Sequence, residues 1–368
     1  MRNDQGASDA SSPKRCAPVA RDAGVSFVMP VLNEQPYLTR AVETVLEQSV
    51  PGPIELVLAL GPSSDGTNEL AREIAGADPR VRLVDNPAAD IPVGLNAAIR
   101  ASRFPTIIRV DAHSELSPGY ARRALETLDR TGAANVGGVM RADGSTPFQS
   151  AVARAYNSRI GLGGGAYHSG GDEGEAESAY LGVIRRAPLE EVGLFDETIR
   201  RGEDWELNLR LRGAGYLVWF DPELSVTYWP RDSWTRLVRQ FFSTGTWRGE
   251  LVRRFGTKNS LRFFAPPALV ALVVCGIVVG ALQFTGALSG GWSIAASIVY
   301  LPLAAYVLLV AAVALGQKRV GLRGRLWSAA VVPSMHLAWG LGFLRGFVAG
   351  ARDTVDTSRL SGRNTPLP

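Results

Sequence analysis

Three apolar runs between Val25 and Asp111, VSFVMPVLNE, IELVLALGPSSDGT and TIIRVDAH, each finish in acidic or polar residues. Runs this apolar suit parallel strands covered on both faces. Helical patterns fill the intervals: Leu38, Ala41, Val42, Val45 and Leu46 follow Pro36, a second helix covers Asn68 to Ala75, and a third covers Leu95 to Ala101. Val81 to Val84 adds a short strand. Such alternation implies right-handed βαβ units and a doubly wound, mostly parallel α/β sheet. Strand C-termini in an open sheet face one crevice, so Glu34, Asp65, Asp111 and His113 are expected to converge there.

Beyond Gly119 the spacing predicts a helix over Tyr120 to Thr131, a strand over Asn135 to Arg141 and a helix over Pro147 to Ser158. The seven glycines between Gly161 and Gly174 predict a mobile loop. Residues 1–22 are polar and are expected to be a flexible tail without the apolar core of a secretory signal. The α/β domain, over 23–228, is therefore expected in the cytosol.

A 46% hydrophobic content and a mean hydropathy of +0.05 are high for a purely soluble chain, and the excess lies after Phe263. Phe263 to Phe284 and Trp292 to Leu315 carry no charge and are long enough to cross a hydrocarbon core of about 30 Å. Trp327 to Ala349, interrupted by Pro333, His336 and Arg345, either spans or lies in the interface. A membrane domain is expected over 263–350, with a polar tail over 351–368. Arg253, Arg254, Lys258 and Arg262 precede the first block, Lys318, Arg319, Arg323 and Arg325 follow the second, and Thr285 to Gly291 is uncharged. The positive-inside bias puts both basic flanks on the cytoplasmic side of a multi-pass inner-membrane protein.

Thirty-nine basic and 35 acidic residues give a net charge of +4, too balanced for the dense basic stripe that nucleic acid needs. Two cysteines, Cys16 and Cys275, suggest neither a disulfide framework nor a metal cluster.

Several constellations admit more than one chemistry. Asp111 and His113, two positions apart in an extended segment, would point to one side and suit Mn²⁺ or Mg²⁺ holding a diphosphate; a surface turn or structural hydrogen bond is the alternative. Asp65 in SSDGT either caps a helix or accepts a hydrogen bond from a base. Glu203 and Asp204 open a helix stopped by Gly213 and Gly215, so dipole stabilisation and catalysis are both open. Trp229, Trp234, Phe241, Phe242 and Trp247 interleave with Arg231, Arg236, Arg239 and Arg248 over an amphipathic region, 229–262, that either meets lipid head groups or packs on the sheet.

VMPVLNEQPYLTRAVETVL, SSDGT, VGLNAAI, VDAH, LGVIRRAPLEEVGLFDE and GEDWELNLRLRGAGY occur in the order seen in family 2 glycosyltransferases, over about Val25 to Asp221. The chain most resembles the membrane-anchored bacterial subgroup similar to succinoglycan and exopolysaccharide biosynthesis enzymes. That resemblance implies a GT-A fold and a nucleotide-sugar donor, UDP-glucose being the example considered. It places Asp111 and His113 at the metal and diphosphate position, Pro30, Val31, Asn33 and Glu34 along the nucleoside, Asp65 at the base, Asn96 in the donor site, and Asp204, with Glu203 beside it, as general base. A divalent cation neutralises the leaving diphosphate, a carboxylate deprotonates the acceptor hydroxyl, and in-line attack inverts the anomeric carbon.

Two departures from the family pattern bear on this. Ala88 to Pro92 reads AADIP where many relatives carry a basic residue, so a phosphate or base contact is either absent or supplied by Arg82 or Arg109. Gln240 to Arg248 lacks the spacing of processive synthases, so single-sugar addition is expected. The expected acceptor is a lipid-linked saccharide or polyprenyl carrier in cell-envelope glycan assembly, with membrane lipids and other assembly enzymes as partners. A polyprenyl-phosphate sugar synthase and a non-catalytic nucleotide-sugar-binding anchor are the alternatives.

Overall fold

The computed structural model describes residues 13–20, 22–162, 167, 170–256, 259–317, 320–352 and 354. The first half alternates as the apolar runs predict: β1 (Val25–Val31), α1 (Gln35–Leu46), β2 (Ile54–Leu60), α2 (Thr67–Ala77), β3 (Val81–Asp85), α3 (Ile91–Ala101) and β4 (Thr106–Arg109). β1 is buried along its whole length, and α1 buries Leu38, Ala41, Val42 and Val45 on one stripe. These four strands are parallel in the order β3-β2-β1-β4. The strand order therefore reverses between β1 and β4, where an open sheet forms its crevice.

Pro30 helps open that crevice. Val28 O accepts from Val110 N at 3.0 Å, and two residues on, along the same edge of β1, Pro30 has no N–H with which to continue the ladder. The strand tips are free to part.

The second half of the sheet is mixed. β5 (Ser114–Leu116), β6 (Asn135–Ala142), β7 (Gly174–Glu175), β8 (Val183–Arg185) and β9 (Val218–Tyr228) complete nine strands among the described residues. β8 runs antiparallel between β4 and β6, whereas β6 and β9 are parallel. Interspersed are α4 (Tyr120–Thr131), α5 (Pro147–Tyr156), α6 (Arg159–Leu162), α7 (Arg186–Glu191) and α8 (Glu203–Gly213). The glycine-rich segment lies partly outside the described residues; α6 and β7 form its flanks.

The tail expectation changes for residues 13–20, which lie along the domain. Lys14 N donates to Gly215 O at 2.7 Å, and Arg185 Nη1 donates to Ala17 O at 2.8 Å. Backbone carbonyls near a buried arginine give a polar segment partners that composition does not reveal.

The C-terminal region comprises α9 (Trp234–Phe255), a 3₁₀ turn (Leu261–Phe264), α10 (Ala265–Phe284), α11 (Gly290–Ala296), α12 (Tyr300–Leu315) and α13 (Leu322–Ala349). Two helical stretches, Leu261–Phe284 and Gly290–Leu315, are long and apolar enough to cross a membrane, and both are largely exposed. α13 differs: Val331, Met335, Ala338 and Phe343 are buried. α9 packs much of its aromatic surface inward: Phe241 and Trp247 are buried, Phe242 and Phe255 are half-buried, and Trp234 is exposed. The cause is close helix approach: a Cβ at Gly245 or Gly346 would collide with the Trp339 or Thr246 carbonyl, so glycine lets α9 and α13 meet backbone to backbone. Arg253 and Arg254, counted as basic flank, both pair with buried Glu250.

Candidate functional site

The β1 and β2 tips are stitched together by their own polar residues. Asn33, at φ +53°, accepts from Ser64 N at 2.8 Å, and its N–H donates to Ser63 Oγ at 3.0 Å. Glu34 N donates to Thr67 Oγ1 at 2.9 Å, while the Thr67 hydroxyl donates to Asp65. Asp65 also accepts from Thr67 N at 3.1 Å and Gln35 N at 3.3 Å, so it closes an Asx turn one residue before Gly66, the N-cap of α2, and ties that turn to the start of α1.

Glu34 links this cluster to the next strand, its Oε1 lying 3.2 Å from His113 Nδ1. Asp111 to Ser114 is not the extended segment the two-residue spacing suggested. Ser114 N donates to Asp111 O at 2.9 Å, closing a tight turn that carries His113 under Tyr228, ring centroids 5.1 Å apart.

Arg109, the last residue of β4, gathers the acids. Its Nη1 lies 2.5 Å from Asp204 and 2.9 Å from Glu203, and its Nη2 lies 3.2 Å from Asp111. Glu203 and Asp204 arrive from the first turn of α8, after Gly202 at φ +81°. The Asn208 side chain donates to this turn, Nδ2 to Asp204 O at 2.7 Å, and Asn135 Nδ2 donates to Asn208 Oδ1 at 2.7 Å, fastening α8 to β6.

One guanidinium facing three carboxylates leaves local negative charge. Burial pushes the Asp204 carboxyl up to about 7; Arg109 opposes the rise, and Glu203 and Asp111 add to it. Burial would lower Arg109, but Asp204, Asp111 and Glu203 together hold it well above its ordinary value. The Tyr180 phenol also rises, first through burial and then through Asp111.

Asp111, His113, Glu203 and Asp204 line one cavity of about 600 Å³. Its far wall is apolar and comes from the C-terminal helices, through Leu269, Tyr306, Leu309, Met335 and Trp339. Carboxylates more than ninety residues apart thus share a pocket that also touches both candidate membrane spans.

A family model described as Glycosyl transferase family 2 matches residues 26–193. Succinoglycan biosynthesis protein ExoA of Rhizobium meliloti (strain 1021) is 32% identical over 87% of this chain and 93% of its own length. The chain belongs to glycosyltransferase family 2. A second relative from that organism, succinoglycan biosynthesis protein ExoO, is 29% identical over 58% of this chain and 63% of its own length. Among solved structures, the mannosyltransferase PcManGT from Pyrobaculum calidifontis, in complex with GDP-Man and Mn²⁺, aligns with a TM-score of 0.56 at 18% identity, covering 92% of this chain and 90% of that one. That likeness shows the GT-A fold.

In this family 2 glycosyltransferase, Asn96, expected in the donor site, has its side chain engaged on the segment before α8. Its Nδ2 donates to Phe195 O and Glu197 Oε1, both at 2.9 Å, and Phe195 N donates to its Oδ1 at 3.0 Å. With its amide engaged on that loop, Asn96 clamps α3 to the segment before α8. Arg82 is likewise held elsewhere, on Ala101 O at 2.7 Å and Glu55 at 3.4 Å. Of the two arginines considered, Arg109 reaches the site. Pro30, Val31, Asn33, Glu34 and Asp65 stand at the neighbouring strand tips, joined to the cavity through the Glu34–His113 contact. Sequence reading missed Tyr156, Tyr180, Tyr228 and Arg201 in the cavity wall, and left Arg231 and Arg248 open between a lipid surface and packing on the sheet. They come from scattered places: Tyr156 ends α5, Tyr180 precedes β8, Arg201 precedes α8, Tyr228 ends β9 with Arg231 just beyond it, and Arg248 lies on α9.

Proposed function

We propose that this glycosyltransferase moves one sugar, with inversion, from a nucleotide-sugar donor to a lipid-linked acceptor at the cytoplasmic face of the inner membrane. The observation that carries this reading is the continuous cavity, acidic at Asp111, Glu203 and Asp204 and apolar at Leu269, Leu309 and Met335. A lipid-linked saccharide needs both ends. The Methanococcus voltae relative, 23% identical over 71% of this chain, is named as a transferase acting on a dolichyl phosphate sugar. Relatives in succinoglycan biosynthesis support a place in exopolysaccharide assembly.

The donor set suits a hard divalent cation. Among the described residues no three His, Cys, Asp or Glu side chains are arranged to hold a metal. Mn²⁺ and Mg²⁺, however, commonly take one or two protein ligands and complete their shell with substrate phosphates and water. Asp111 and His113 are the proposed pair, and Glu34 on His113 Nδ1 supplies the carboxylate that orients a ligating imidazole. When bound, the cation neutralises charge on the leaving diphosphate.

The protein's own residues do the rest. Asn33, Glu34 and Asp65 shape the nucleoside end, with the unused lone pairs of Asp65 facing the base. Asp204 accepts the acceptor's hydroxyl proton as that oxygen bonds to the anomeric carbon and the anomeric C–O bond to the diphosphate breaks. Arg109 fixes Asp204 and Asp111 relative to each other, and Glu203 shares the same guanidinium. A panel of nucleotide sugars offered to membranes containing the full chain, with and without Mn²⁺, tests the reading. Mass analysis of extracted lipids should show a one-sugar increment that requires the metal. Metal-independent transfer, or a ladder of increments, would refute it.

A further inference from the structure

Five guanidiniums line the cavity, Arg109, Arg201, Arg231, Arg248 and Arg262, against three carboxylates. All three carboxylates meet Arg109. Arg248 and Arg262 belong to another side, made by α9 and the 3₁₀ turn that leads into the first candidate membrane span. The transfer step gives them no task.

Rings rather than acids hold Arg248. Its guanidinium carbon lies 5.1 Å from the Trp205 centroid and 4.1 Å from that of Phe263. Arg262 lies over the same Phe263 ring at 5.0 Å. Two like charges share one ring, and the buried Nη1 of Arg248 has no hydrogen-bond partner among the described residues. Burial draws the Arg248 guanidinium down to about 10; Arg262 acts in the same sense and Tyr167 opposes it. A repulsive pair with an unspent buried donor is relieved by an anion, and the planar guanidinium fork matches phosphate oxygens two at a time.

The ring that carries both arginines also begins the apolar wall. Phe263 is followed in the cavity lining by Pro266 and Leu269 of α10, with Leu309 of α12 and Met335 of α13 beyond. A free phosphate would satisfy the arginines and leave that wall bare. A ligand with an anionic head and a hydrocarbon tail satisfies both.

We propose that Arg248 and Arg262, with Arg201 and Arg231 beside them, bind the phosphate head of an isoprenoid-type lipid carrier whose tail lies along α10. The site deepens the lipid-linked acceptor reading and rests on it. It divides the cavity between two anions: the donor's diphosphate at the Asp111 side and the carrier's at Phe263.

The test measures binding to the full chain in detergent, with farnesyl diphosphate, inorganic diphosphate, farnesol, and UDP or GDP with Mn²⁺ as separate probes. Farnesyl diphosphate should bind at least about tenfold more tightly than inorganic diphosphate or farnesol, because only it fills both walls. Arg248→Gln and Arg262→Gln should each weaken it by about tenfold and leave nucleoside diphosphate affinity within about twofold. Thermal melts identify misfolding, and Arg262→Gln, on the turn rather than in the helix packing, keeps the test open if Arg248→Gln does not fold. Unchanged farnesyl diphosphate affinity in a folded variant would overturn the site. So would loss of nucleoside diphosphate binding instead, which would assign these arginines to the donor. Arginine-dependent binding with a water-soluble transfer product would sink the lipid-acceptor reading and leave the anion site standing; lipid-phase product with arginine-independent binding would do the reverse.

Discussion

Arg109 is the hinge of the chemistry, because removing it leaves Asp204, Glu203 and Asp111 facing one another without a buried cation. Breaking such a cluster costs about 3–5 kcal/mol, far more than an exposed pair. Arg109→Gln should therefore lower the melting temperature of the metal-free protein, and added Mn²⁺ should raise it more in the variant than in the wild type. Equal Mn²⁺ shifts would show that the cation does not bind beside these acids. On the proposed mechanism, Asp204 sets the pH response. A base must be ionised to act, and burial holds its carboxyl up to about 7. Activity is lost as pH falls through that region, so kcat/KM at limiting substrate should show an acid limb well above the ordinary carboxylate range of about 4. A profile flat from about pH 5.5 to 8 would contradict the assignment.

The helices and strands show what periodicity reveals and what it hides. β1, β2 and β4 were legible because continuous apolar runs suit doubly covered parallel strands, and their polar tips were legible with them. β8 was not: three residues, Val183–Arg185, carry no period, and their antiparallel placement depends on neighbours far away in sequence. α9 was ambiguous for a related reason. Arginine and tryptophan on one helix serve a lipid surface or a packed cavity equally well, and the choice depends on glycines in a partner nearly a hundred residues on. Gly346→Ala places a methyl group against the Thr246 carbonyl and should destabilise by about 1–3 kcal/mol in denaturant unfolding. Gly291→Ala meets nothing within 4 Å and should leave stability unchanged. Equal effects would mean that α9 and α13 do not cross as described. Asn96 and Arg109 mark the same boundary within the site. Their residue types admitted a ligand contact, but only tertiary hydrogen bonds put Asn96 on Phe195 and Arg109 among the acids.

Across the whole molecule, the catalytic sheet and the C-terminal helices build one cavity rather than two adjoining bodies. α13 packs on α9, α5 and α10, so the apolar wall is fixed to the sheet that carries Asp111. A membrane-embedded carrier could present its sugar to Asp204 without leaving the bilayer surface. The most direct test is the rate at which labelled sugar enters extractable lipid, compared between wild type and Asp204→Asn with Mn²⁺ and saturating donor. The account predicts Mn²⁺-dependent labelling of lipid by the wild type, and a loss of about a hundredfold or more in Asp204→Asn with donor affinity retained. Near-normal turnover by Asp204→Asn, or wild-type product confined to the aqueous phase, would contradict it.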